Sequence, residues 1–207
     1  EVTSSRETRY NSYAHSFAGM TVQFLMFMGI DIGIGLLLAR RMGLWKRLRA
    51  APLTRATLLG STVISTALIA IILMAGIFAA GMLFFGVRIE GSVIGFAAVI
   101  VAFALLTSSF GLLLAAIGNN PEVTRGIAIF ATLILVMLGG AWVPSFVFPE
   151  WLQSASLAIP TRWAIDGFAA MTWRGLGIEA AIAPVAVLLC FSAVMFAAAL
   201  WRFQWSE

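Results

Sequence analysis

The chain has 207 residues, of which 61% are hydrophobic and 11% charged, with a mean hydropathy of +1.00 and a formal net charge of +4. Soluble domains carry about 45–50% apolar and about 25% charged residues, so a fold of this size cannot hide such an apolar excess from water. The composition excludes an ordinary soluble domain and points to an all-α membrane protein with several spans.

Residues 1–15 are polar and lack the pattern of a signal peptide, and the sequence opens on Glu1. They read as part of a longer chain. Residues 16–207 form the membrane domain. Five stretches in it are apolar enough to cross a bilayer as helices: 17–38, 58–86, 93–117, 127–143 and 180–201. The second is long and must tilt or extend beyond the hydrocarbon layer.

The connections set the orientation. One face holds the 39–56 loop, the 118–126 loop and the C-terminal tail, with eight cations against two acids, net +6. The other holds the N-terminal segment, the turn near Arg88 and residues 144–179, net −1. Because Lys and Arg near span ends accumulate in the cytoplasm, the first face is expected inside and the N-terminus of this piece outside. A basic pI then speaks of a membrane face rather than of nucleic acid, which is not an expected partner.

The densest positive charge lies over 39–55, where Arg40, Arg41, Lys46, Arg47, Arg49 and Arg55 supply six of the thirteen Lys and Arg residues. Read as a helix over 40–52, this segment places Leu44, Leu48 and Ala51 in one stripe with Trp45 beside it, and Pro52 ends it. It suits an interfacial helix on anionic lipid heads, or a docking helix for a soluble partner.

Residues 144–177 read as an outer hairpin of two short helices. Pro149 and Glu150 start the first, Pro160 breaks it, Thr161 caps the second and Gly175 ends it. Ile165, Phe168, Ala169, Thr172 and Trp173 share a face, and Trp142, Trp151, Trp163 and Trp173 fit an interfacial aromatic belt.

Few residues could carry chemistry. Lys46 is the only lysine and is not preceded by GxxxxG, so no Walker A loop is present, nor is GxSxG, HExxH or a cysteine pair. Cys190 and His15 stand alone, which argues against a metal centre. Asp31 is the one ionisable residue deep in a predicted span, where insertion costs about 2.5–3.5 kcal/mol. It shares a stripe with Gln23 and Phe27, and it either lines a polar pathway or holds packing through a hydrogen bond. Gly29 and Gly33 flank it as GxxxG, a spacing that suits close helix packing within the subunit.

These residues resemble those of a known family. The run Gly43-Leu44-Trp45-Lys46-Arg47-Leu48-Arg49-Ala50-Ala51-Pro52 resembles the coupling helix of ABC-2 type permeases, the membrane subunits of one class of ABC exporter. Leu138–Pro144, Phe148–Leu152 and Ile159–Trp163, followed by Arg174-Gly175, are similar to that family's outer re-entrant hairpin, with Pro144, Pro149, Trp151, Pro160 and Trp163 as its marks. The resemblance implies six helices per subunit, of which this chain carries the second to the sixth, and it implies that residues 1–15 are the end of an extracytoplasmic segment. It implies pairing with a second permease subunit and with an ATP-binding subunit that holds ATP and Mg, so that no cofactor belongs to this chain. It also implies a plasma (bacterial inner) membrane location among lipids, and export of a drug-like, lipid or glycan substrate. Where many relatives have glutamate before the coupling glycine, this chain has Ala39, Arg40 and Arg41. The rival expectations are a proton-coupled secondary transporter using Asp31 and an integral-membrane enzyme acting on lipids.

Overall fold

The computed structural model describes residues 10–43 and 54–202. Its described residues form seven α-helices and one 3-10 turn: α1 Ser12–Arg41, α2 Arg55–Phe85, α3 Val93–Ile117, α4 Pro121–Leu138, the 3-10 turn Ser145–Val147, α5 Glu150–Ser156, α6 Pro160–Met171 and α7 Glu179–Arg202. Five of them, α1 to α4 and α7, are long and apolar enough to span a membrane. Side-chain caps fix where most of these begin: Asn11 accepts from Ala14 N–H, Thr54 from Thr57 N–H and Ser92 from Gly95 N–H, each at 3.1 Å.

α3 is the axis of the bundle, packed by α7, α1 and α2, with α6 against it at one end. Its most apolar window is 72% buried, against 22% for those of α2, α4 and α7. Glycine permits the closest of these approaches. A Cβ on Gly33 would run into the Gly111 carbonyl, one on Gly111 into the Gly29 carbonyl, and one on Gly29 would come within 2.8 Å of the Thr107 carbonyl. The Gly29–Gly33 pair therefore serves packing inside the subunit, as its spacing suggests. Two polar side chains of α3 are satisfied locally, Thr107 donating to the Phe103 carbonyl and Ser108 to that of Ala104.

The two helices of the hairpin differ in burial. α5 lies on the surface, but α6 is buried along almost its whole length. Phe168 meets Phe78 and Phe96 at ring-centroid distances of 5.1 and 5.7 Å, and those two rings meet each other at 4.8 Å. Three backbone hydrogen bonds, from Glu90, Gly91 and Ser92 to the carbonyls of Thr172, Met171 and Leu176, stitch the α2–α3 turn to the α6–α7 connection. Pro160 occupies the first turn of α6 with Ile159 as its cap. Thr161 is not the cap that its position suggests, because its hydroxyl donates to the Leu135 carbonyl of α4 at 2.6 Å.

The fourth span is shifted from its expected place. It runs over 121–138 rather than 127–143, because Asn120 caps it, Pro121 fits its first turn and Glu122 favours its positive end. At its far end Gly139 caps the helix and Gly140 turns the chain at φ 87°. Residues 141–143 thus belong to the hairpin. The first span extends beyond 17–38 at both ends, to 30 residues or about 45 Å at 1.5 Å per residue.

Candidate functional site

The helix α1 leaves the bundle with Arg40 and Arg41 in its last turn, where cations offset the partial negative charge of a helix C-terminus. Met42 and Gly43 N–H groups bond back to the Leu38 and Arg40 carbonyls at 3.0 and 3.1 Å. Gly43 takes φ 73°, a left-handed conformation that turns the chain into the basic segment. The residues expected to form a coupling helix, Leu44, Trp45, Lys46, Arg47, Leu48, Arg49 and Pro52, lie outside the described residues.

Arg41 reaches to the α3–α4 connection, where its guanidinium donates to the Asn119 carbonyl. Asn120, next in the chain, accepts from the Glu122 and Val123 N–H groups at 2.9 and 3.4 Å and so starts α4. A cavity of about 410 Å³ lies at this junction, walled by Leu37, Arg40, Arg41, Gly43, Gly118 and Asn119. The exit of α1 and the entrance of α4 are thereby joined at the end of the bundle opposite the hairpin.

The early start of α4 has a second effect. It puts Arg125 on a helix facing Asp31, and the two form an ion pair with Nη1 3.1 Å from Oδ1. Sequence reasoning places Arg125 in a loop and so misses this partner; the Asn120-Pro121-Glu122 start signal is what reveals it. The pair is not interior: the Arg125 and Asp31 side chains are 48% and 63% exposed. Around them, Phe24 and Leu38 of α1 and Ile127 and Phe130 of α4 are also uncovered.

Gln23 is not brought to Asp31. Its Oε1 accepts from Trp142 Nε1 at 2.7 Å and ties α1 to the chain just beyond α4. In the hairpin, Pro144 precedes the 3-10 turn, Pro149 precedes α5, and Pro160 opens α6. Trp151 points away from the bundle and is 71% exposed, whereas Trp163 is pinned by its Nε1 donating to the Leu157 carbonyl at 2.8 Å. Asp166 accepts from Arg162 Nε at 2.5 Å, which leaves no pair of free carboxylates with Glu150. Among the described residues no group of His, Cys, Asp or Glu could hold a metal ion.

The described residues thus form a bundle of span-length helices with a basic end and an opposite hairpin partly sunk into its core. A family model described as ABC-2 type transporter matches residues 3–173. The chain belongs to that family. It is also similar to the linearmycin resistance permease protein LnrN of Bacillus subtilis (strain 168), at 26% identity over 183 residues, which cover 88% of this chain and 47% of that protein. The chain spans about half the length of the curated relative it matches. Membership in the ABC-2 family makes this a multi-pass membrane protein of a transporter family.

Proposed function

We propose that this chain is part of the membrane-spanning permease of an ATP-driven exporter, working with an ABC ATP-binding subunit and a second permease subunit. The observation that carries this reading is the junction at the basic end, where Arg41 holds the Asn119 carbonyl and the start of α4 lies beside the exit of α1. A motor gripping the basic segment would pull on α1 directly and on α4 through that bond. Movement there would reach the Asp31–Arg125 pair, which lies on the same two helices.

The basic end faces the cytoplasm in this reading, since it collects the cations, and the hairpin closes the outer side. A charged pair on an uncovered apolar face is costly against acyl chains. It suits a face that meets the second permease subunit across a polar pathway. Drug-like, lipid and glycan substrates all fit such walls, and the resistance role in the name of the relative favours an amphiphilic drug-like cargo.

The test is reconstitution with the ATP-binding subunit. Trp45→Ala combined with Arg47→Glu should reduce co-purification of that subunit and abolish export, while leaving the permease folded by gel filtration. Undiminished capture and export would overturn the docking role. A proton-driven carrier would instead export without any ATPase, driven by a proton gradient alone.

A further inference from the structure

At the hairpin end a cavity of about 310 Å³ opens between the start of α1, the 3-10 turn and α6. That is room for about ten waters at their liquid volume. His15, 5% exposed, and Trp173 form part of its wall, and neither His15 Nε2 nor Trp173 Nε1 has a hydrogen-bond partner among the described residues, although both atoms are buried. Orphaned buried polar atoms are rare and costly, and two beside one cavity ask for an explanation.

The chemistry of the wall is unbalanced toward donors. Trp173 Nε1–H can only donate. Arg174 lines the cavity and has no ion-pair partner among the described residues. Arg162 is there too, using its Nε on Asp166 and its Nη1 on Ser156 Oγ, at 2.5 and 3.3 Å. The one carboxylate in the wall, Asp166, is thus already engaged. Tyr10 packs against three residues of the wall, its ring 5.8 Å from His15, 5.7 Å from Phe146 and 5.4 Å from Trp173. The opening is polar, and the rings give it a flat apolar flank.

We infer that this cavity is a binding site for an oxyanion carried on a small head group, with Arg174 and Trp173 as its donors. A guanidinium matches phosphate and carboxylate oxygens in a two-bond fork, and an indole N–H adds a directed third donor. The same group can arrive as a soluble organophosphate or as the phosphate of a lipid at the interface. That the site opens on the outer side rests on the exporter reading; that it binds does not.

Binding is read on the full chain in nanodiscs, with glycerol 3-phosphate as the soluble probe and phosphatidylglycerol in a phosphatidylcholine disc as the lipid probe. Native mass spectrometry should find at least one of them retained. Arg174→Gln and Trp173→Phe should each weaken that retention about tenfold, the scale of one charge-assisted hydrogen bond. Arg88→Gln, which changes an exposed cation outside the cavity, should leave it unchanged. Lipid retained alone assigns the site to a head group, and the soluble probe retained alone assigns it to a free anion. No retention of either probe, or retention indifferent to both cavity variants or equally sensitive to Arg88→Gln, would overturn the site. Because no ATPase enters this assay, failure of the exporter reading would leave its result standing.

Discussion

At the scale of single residues, Asp31 shows how a neighbour decides what a charge does. Alone in an apolar helix it would be a strong liability. Beside Arg125, at 3.1 Å, it becomes half of a pair whose members sit on separate helices. Exposed pairs in water contribute about 0–1 kcal/mol, so this one is expected to matter less for folding than for how α1 and α4 move together. Asp31→Asn or Arg125→Gln should each cut transport several-fold by leaving one unmatched charge. The swapped double variant, Asp31→Arg with Arg125→Asp, should recover most of it. Adding the double variant Asp31→Asn with Arg125→Gln closes a cycle with the two single variants, whose coupling is expected at roughly 0.5–3 kcal/mol. Additive losses with no rescue would show that the two side chains act apart. Tyr10, outside the spans, illustrates a milder environmental effect, since burial pushes its phenol above the ordinary range.

At the scale of elements, the interface between α1 and α3 carries the most direct prediction. Gly33→Leu and Gly111→Val push side chains against backbone carbonyls that cannot swing away. Each should destabilise the bundle by about 1–3 kcal/mol, the usual cost of overpacking, seen as a lower midpoint in thermal unfolding in detergent. Gly35, two residues from Gly33, has nothing within 4 Å of a built Cβ. Gly35→Ala should therefore be neutral or slightly stabilising, by up to about 1 kcal/mol. Equal losses at 33 and 35 would show that the backbone contact at Gly33 is not what excludes a side chain there. This pair of glycines also marks what can be read without coordinates. The five spans and the hairpin are legible because apolar length and proline spacing are local signals. That Gly33 opposes Gly111 is not legible, since it depends on the rotation of one helix against another. The start of α4 was legible in Asn120-Pro121-Glu122, but hydropathy alone places it six residues late. The burial of α6 could not be read from a short, charge-bearing segment, because Phe78 and Phe96, from distant helices, are what draw Phe168 inward.

At the scale of the whole molecule, the two ends differ in kind. One gathers Arg40, Arg41 and the cap of α4 in polar contacts, while the other buries His15 and α6 beneath an aromatic rim that includes Trp142, Trp151 and Phe146. Only charge relates these ends to the two sides of a membrane, and under the proposed reading the excess of cations places the basic end inside. The single native cysteine makes this directly testable. With Cys190→Ala as background, a cysteine at position 46 should react with an impermeant maleimide only after the membrane is opened. A cysteine at position 151, where the native Trp is 71% exposed, should react in intact cells. Reversed labelling would invert the molecule and put the basic segment beyond the reach of any cytosolic motor. It would also turn the hairpin cavity toward the cytoplasm, where soluble phosphates rather than outer-leaflet lipids would be its natural visitors.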